Sequence, residues 1–187
     1  MSRTEYVRTV EGFGTVRVDR IDPERHAELI HRWVNEERGR FWGMNGTSVE
    51  QVREIYAHLD SLSTHHGFLV HRDEVPVGIF QTYDPEADRI SECYASQPGD
   101  IGVHLFVAPA AAPERGFTER LFGVLLDFAL TDRTRIVGEP DAANEKVLAR
   151  LARSGFELGP EITLPEVDLP EVFIPEKRAR LVFYTGA

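Results

Sequence analysis

DIGVHLFVAPAAAPERGFT, residues 100–118, changes its hydrophobic period part-way along, and the rest of the chain is ordered around that change. Its first half alternates. Ile101, Val103, Leu105 and Val107 interleave with Gly102, His104 and Phe106, the period of two expected of a β-strand. Small residues and prolines at 108–113 end the strand. From Phe117 the spacing becomes helical, with Leu121, Val124, Leu125 and Phe128 on the same face. A strand that passes through Arg115-Gly116 into the helix opened by Phe117-Thr118 offers bare backbone N–H groups and the positive end of a helix dipole. Such a turn binds anions, here expected to be a pyrophosphate. His104 adds a titratable group near it. Arg115 is either a ligand of that anion or a solvated charge.

The 187 residues fit one domain with a sizeable core, and 42% apolar with 28% charged residues describe an ordinary globular chain. The balance of 21 Lys+Arg against 31 Asp+Glu, a net charge of -10, argues against nucleic acid or an anionic membrane as partner and suits a cationic small molecule. The single cysteine, Cys93, excludes an intramolecular disulfide and fits a reducing compartment. With no leader-like start and no apolar run of membrane length, the expected location is cytoplasmic. His65, His66 and His71 lack the cysteine or carboxylate companions of a metal site, so no metal is assigned.

Before the decisive stretch, residues 1–12 are polar and read as a flexible segment, leaving 13–187 as the folded domain. Residues 15–19 alternate as a strand. Pro23 suits a first helical turn, and Ala27, Leu29 and Ile30 carry that helix to Trp33. The loop 35–46 holds Phe41, Trp42 and Met44, which either plug the core or line a pocket. Ser48 and Gln51 form a capping box before a second amphipathic helix. Residues 67–70 and 75–83 pair as a hairpin, and 90–94 are expected to return onto it. After the decisive stretch come a strand at 135–138, a helix from Ala143 to Arg153 and a late strand from Phe156. Prolines at 160, 165, 170 and 175, each followed by glutamate, predict an extended, solvated connection to a last strand at 180–184.

This order of elements resembles the GNAT acyltransferase fold, an α/β fold with a central mixed, mostly antiparallel sheet flanked by helices in a single domain. More narrowly, the chain is similar to the siderophore hydroxamate acyltransferases. The residues that carry the resemblance are FWGM at 41–44, PVGIFQTYDP at 76–85, GDIGVHLFVAP at 99–109 and ERGFT at 114–118. EPDAANEKV at 139–147, Gly155-Phe156 and KRARL at 177–181 complete it. The resemblance implies acetyl-CoA or succinyl-CoA as co-substrate, with Phe106 and Val107 on the pantetheine arm. Arg115, Gly116, Phe117 and Thr118 would hold the pyrophosphate, with Asn144 also toward the cofactor. It further implies His104 and Asp141 as a catalytic pair. The tyrosine that many GNAT enzymes use as general acid is replaced here by Leu151, and the run 110–113 lengthens the anion loop.

Acyl transfer to nitrogen requires a base for the proton that develops on the attacking nitrogen. Histidine, with an ordinary pKa of ~6.5, suits that work, which is worth roughly 10²–10⁴-fold. A carboxylate on the imidazole would fix its tautomer and stabilise its cation. The bland alternatives are a structural strand histidine at 104, an N-cap at Asp141 and a helix start at Asn144. By resemblance, the acceptor expected is an N-hydroxylated diamine, N-hydroxycadaverine of desferrioxamine-type assembly, in a wall of Trp33, Phe41, Trp42, Met44, Gln81 and Tyr83. N-Hydroxylysine, as in aerobactin-type enzymes, another amine, or a non-catalytic acyl-CoA-binding module are the alternatives. The expected assembly is a monomer or homodimer.

Overall fold

The computed structural model describes residues 3–110, 112–169 and 172–186; Ala111 of the anion-loop run and the Pro170-Glu171 copy of the proline period lie outside them. The elements run β1 (Thr4–Val10), β2 (Gly14–Arg20), α1 (Pro23–Val34), α2 (Val49–Ser61), β3 (His65–Arg72) and β4 (Val75–Tyr83). They continue as β5 (Asp100–Val107), α3 (Phe117–Ala129), β6 (Arg135–Gly138), α4 (Glu145–Arg153), β7 (Glu157–Leu164), β8 (Val167–Leu169), β9 (Val172–Ile174) and β10 (Lys177–Tyr184). Eight strands form one mixed sheet in the order β1-β2-β3-β4-β5-β6-β10-β7, and β8 pairs with β9 separately. β5 and β6 are parallel, whereas β1–β2, β2–β3, β6–β10 and β10–β7 are antiparallel. This is the α/β architecture expected.

Local chemistry accounts for the helix starts. Asp22 accepts from the Arg25 N–H at 3.3 Å ahead of Pro23, and Ser48 and Gln51 bond each other's backbone at 2.8 and 3.2 Å. Two compact units are distinguished, residues 1–81 with 105–125, and 82–104 with 126–187. In the first, Ile30, Trp33 and Val34 of α1 and Val52 and Tyr56 of α2 share a core with Leu69, Ile79 and Phe106. In the second, Tyr83, Ile90, Val137, Leu164, Ala179 and Leu181 form the core.

The N-terminal segment differs from expectation. Residues 4–10 are strand β1, registered on β2 from Thr4–Asp19 to Val10–Gly14. Backbone pairing with a neighbour, rather than apolar side chains, orders this stretch, so its polar composition concealed it. Residues 90–94 do not form a strand. Asp84 and Asp88 cap two 3₁₀ turns, Pro85–Ala87 and Arg89–Glu92, by accepting from the Glu86 and Ile90 N–H groups, each at 3.0 Å.

The proline-rich tail is also more regular than the spacing predicts. Pro160 lies inside β7, an edge strand. Its position is where the β7–β10 register shifts: Glu161 faces Arg180 and Leu158 faces Val182, so Gly159-Pro160 oppose Leu181 alone. A bulge on an edge tolerates the missing N–H. Pro165 and Pro175 bracket the β8–β9 hairpin, and Arg89 Nη1 donates to both of their carbonyls, at 2.9 and 2.8 Å. Of the period, Pro160 thus marks a bulge and Pro165 and Pro175 the two ends of a hairpin. No helix among the described residues is long and apolar enough to cross a membrane.

In the second unit, Arg135 of β6 donates two bonds of 2.7 Å to Asp100 of β5, which also accepts from Tyr94 Oη at 3.0 Å and Gln97 N at 2.9 Å. Burial alone would push the Asp100 carboxyl up, but Arg135, Gln97 and Tyr94 hold it below the usual carboxylate range. Removing one member of such a buried pair strands the other. Asp100→Ala is expected to cost about 3 kcal/mol or more, measured by urea denaturation; a loss below about 1 kcal/mol would mean the pair is a solvated one.

Candidate active site

β5 outlasts its partner. β5 and β6 pair in parallel from Asp100–Arg135 to Gly102–Val137, while β5 continues through Val103–Val107. Past that point the β5 edge is a row of backbone donors and acceptors. At its far end, Ala108 N donates to Val77 O at 2.9 Å. A Cβ on Gly78 would lie 2.5 Å from Phe106 O, so only glycine allows this approach. Arg38 Nη1 donates to the carbonyls of Val107 and Ala108, at 3.3 and 2.9 Å. Phe106 is buried and Val107 half-buried.

The expected anion turn follows. Gly116 has φ +73°, a conformation that favours glycine, and a Cβ there would meet only the end of Arg120 at 3.7 Å. Its requirement is therefore conformational rather than spatial. Arg120 donates to Arg115 O at 3.0 Å and to Gly12 O at 2.8 Å, tying the turn to the β1–β2 connection. Arg72 bonds Glu114 and lies over the rings of Phe13 and Phe117, at 4.5 and 5.5 Å. Phe117 thus serves the turn as a packed ring, edge-on to Phe13 at 5.4 Å. Thr118 is half-buried on the first turn of α3. The Arg115 side chain is exposed and makes no ion pair among the described residues.

The expected acceptor wall divides. Trp33 and Met44 are buried in the core of the first unit. Trp33 stacks on Phe106 at 6.5 Å and Trp42 meets the same ring edge-on at 5.6 Å. Trp42, Phe41 and Gln81 are half-buried. Tyr56 is a buried post for two of them. Burial pushes its phenol up, and hydrogen bonds from Trp42 and Gln81 offset part of that. Phe41 lies under the Arg40 guanidinium at 4.7 Å. Tyr83 belongs to the second unit's core.

The histidine cluster lies in the second unit. His104 Nε2 bonds Glu139 Oε1, and Tyr83 Oη donates to Glu139 Oε2 at 2.6 Å. Lys177 Nζ donates to the Glu139 backbone carbonyl at 2.9 Å. The Glu139 side chain is 6% exposed and that of His104 is 35% exposed, so the imidazole is the accessible end of a buried network. A Cβ on Gly102 would lie 2.0 Å from the Tyr83 ring, so Gly102 is the notch that admits it. Burial alone would push the Glu139 carboxyl up. The charge and hydrogen bond of His104, then Lys177 and Tyr83, outweigh it and hold the group at about 2. Burial likewise pushes Lys177 down, against the pull of Glu139 and Asp141.

The carboxylate seen bonded to His104 is that of Glu139, two residues before the expected Asp141. Asp141 Oδ1 accepts from the Ala143 N–H at 2.8 Å, its carbonyl accepts from Asn144 N at 2.9 Å, and its backbone bridges to Ala179. The turn between β6 and α4 satisfies its own donors with the nearest short side chain, as capping chemistry favours. Asn144 is the N-cap of α4, accepting from Val147 N at 3.3 Å. Sequence reasoning passed over Glu139, Arg38 and Lys177. A carboxylate directly after the apolar β6 was the available signal for Glu139; Arg38 and Lys177 carried none.

A family model described as acetyltransferase (GNAT) domain matches residues 22–164. The chain belongs to the GNAT acetyltransferase family. It is 32% identical over 173 residues to the N(6)-hydroxylysine O-acetyltransferase of Escherichia coli, covering 86% of this chain and 49% of that protein. It is 30% identical over 141 residues to the hydroxyornithine transacylase SID3 of Ajellomyces capsulatus, covering 72% of this chain and 31% of that one. The chain therefore spans half or less of the length of these curated relatives. Among solved structures, the aminoglycoside acetyltransferase AAC(6')-Ib in complex with coenzyme A shares the GNAT fold. It has a TM-score of 0.73 at 20% identity, over 91% of this chain and 94% of that one.

The depressed Glu139 value makes an acid-side prediction. A carboxyl held at about 2, against 4.5 ordinarily, contributes stability that is present above about 4.5 and lost as pH falls toward 2. The Tm advantage of wild type over Glu139→Gln is expected to shrink across that window. A constant difference would show that ionised Glu139 is not what the network stabilises.

Proposed function

We propose that this GNAT protein transfers an acyl group from acetyl-CoA or succinyl-CoA to the nitrogen of an N-hydroxylated amine, forming a hydroxamate of the kind used in siderophores. The observation that carries the reading is the half-exposed His104, bonded to a buried carboxylate, on a strand that runs beyond its parallel partner. The names of the two curated relatives, which concern hydroxylysine and hydroxyornithine, support the class of acceptor.

The residues divide the work. The β5 edge at Phe106 and Val107 would bond the pantetheine amides, and the turn at Gly116 to Thr118 would receive the pyrophosphate on backbone N–H groups, with Arg115 adding charge. The hydroxylamine nitrogen adds its lone pair to the thioester carbonyl carbon, forming the N–C bond. Its proton passes to the His104 imidazole. Collapse breaks the C–S bond, and the leaving thiolate takes that proton, which restores the neutral base. A hydroxylamine is less basic than an alkylamine and is largely neutral near pH 7, so the base is needed only after attack. Backbone N–H groups of the open β5 edge would support the oxyanion. Trp42 and Gln81, oriented by Tyr56, are the proposed acceptor wall.

His104→Ala is expected to lower turnover about 10²-fold or more with the fold intact, followed by thiol release and circular dichroism. Wild-type turnover in that variant would make His104 a structural residue. Gly116→Val is expected to weaken coenzyme A binding in calorimetry, because valine resists φ +73°; unchanged affinity would misplace the pyrophosphate.

For the acceptor, N-hydroxycadaverine is the first reading, resting on the GIFQTYDP run at 78–85 and on the net charge of -10, which favours an acceptor with an ammonium end and no carboxylate. N-Hydroxylysine is the second, favoured by the Escherichia coli relative's name. Thiol release with N-hydroxycadaverine, N-hydroxylysine, N-hydroxyornithine and cadaverine side by side decides between them. Iron(III) colour of the product separates N-acylation, which gives a chelating hydroxamate, from O-acylation. Preference for hydroxylysine would change the acceptor, and faster reaction of plain cadaverine would overturn the hydroxamate reading.

A further inference from the structure

We infer that Glu139 is the positioning residue for His104, holding the neutral imidazole in its Nε2–H tautomer so that Nδ1 is the nitrogen that takes the proton. The inference rests on the proposed acyl transfer for its kinetic consequences, and on geometry alone for the tautomer. An ionised carboxylate only accepts hydrogen bonds, so the imidazole nitrogen against Glu139 Oε1 must be the one that carries hydrogen. The neutral ring has one N–H, which leaves its lone pair on Nδ1. The carboxylate cannot rotate away from this role. Its other oxygen is taken by the Tyr83 hydroxyl at 2.6 Å, and its own backbone carbonyl is held by Lys177 at 2.9 Å.

The arrangement is built rather than incidental. Tyr83 is 3% exposed and Glu139 5% exposed, and the Tyr83 ring occupies space that any side chain at position 102 would fill. The ring also lies 5.1 Å from the His104 ring at an interplanar angle of 34°, restricting imidazole rotation from one side. A buried carboxylate with two hydrogen-bond donors and a nearby ammonium stays ionised, so it stabilises the imidazolium formed when Nδ1 accepts a proton. Asp141, two residues on, spends its Oδ1 on the Ala143 N–H at 2.8 Å and faces Lys177 electrostatically, so its place is the turn rather than the imidazole.

The test reads the ring directly and then the kinetics. Long-range ¹H–¹⁵N correlation spectra of the wild-type protein, with the His104 signals assigned by loss in His104→Gln, are expected to show the Nε2–H tautomer. In Glu139→Gln that preference should be diluted by the other tautomer, and in Asp141→Asn it should persist. With acyl-CoA and the best hydroxylamine, Glu139→Gln is expected to lower kcat roughly 10- to 10²-fold, part of the whole general-base contribution, with the acyl-CoA KM near wild type. Tyr83→Phe should show the same pattern, weaker. An Nδ1–H tautomer in the wild type, or a tautomer disturbed by Asp141→Asn and not by Glu139→Gln, overturns the inference. If no hydroxylamine releases coenzyme A from the wild type, the proposed reaction falls, while the tautomer still decides the role of Glu139.

Discussion

A carboxylate only 5% exposed has to be matched group for group, and Glu139 imposes that condition on the second unit. Two oxygens meet two donors, one from Tyr83 and one from His104, and the backbone carbonyl meets Lys177. Each partner brings its own requirement. Tyr83 needs Gly102 to be glycine, and the half-buried Lys177, pushed down by burial, is pulled back up by the carboxylates of Glu139 and Asp141. The orientation of the imidazole is thus a consequence of satisfying a buried charge, and no residue of the network can be exchanged without leaving another unpaired.

β5 also parts from β6 along its length. The bidentate Asp100–Arg135 pair fixes the two strands side by side at their start, and their parallel pairing runs to Gly102–Val137. β5 continues past that pair to Val107, where its β6-facing edge has backbone groups that a continuing partner strand would use up. Proteins leave such groups exposed where a ligand completes them, and an amide-bearing arm is chemically suited to do so. In the first unit, Arg120 and Arg72 brace the turn before α3 from behind, through Arg115 O and Glu114, while the Arg115 side chain faces solvent. Two arginines hold the loop and the side chain of a third is exposed, a division that a count of basic residues does not reveal.

The tail shows how a repeat can be structural without being a repeat fold. Pro160 sits at a bulge of an edge strand, while Pro165 and Pro175 flank a hairpin whose base Arg89 ties through both proline carbonyls. Proline cannot donate to a ladder but keeps a good acceptor, so it suits the ends of strands and the grip of a guanidinium.

What the sequence determined by itself was whatever depends on near neighbours along the chain. The alternation at 101–107, the helical spacing from Phe117, the capping box at Ser48-Gln51 and the glycine turn at 116 all appear in the structure where their spacing placed them. Those patterns also sufficed to order the elements into an acetyltransferase fold. The strand at 4–10 was not legible, because its order comes from β2 and not from its own polar residues. His104 was legible as a candidate, but its partner was not. Asp141 and Glu139 are two residues apart in one short segment, both acidic, and their spacing favours neither. The choice is made by Tyr83 and Lys177, 56 residues before and 38 after Glu139, which close around one carboxylate while the other is drawn into its own turn. Linear spacing records who is adjacent; which buried charge is satisfied by whom is settled only when distant segments share one volume.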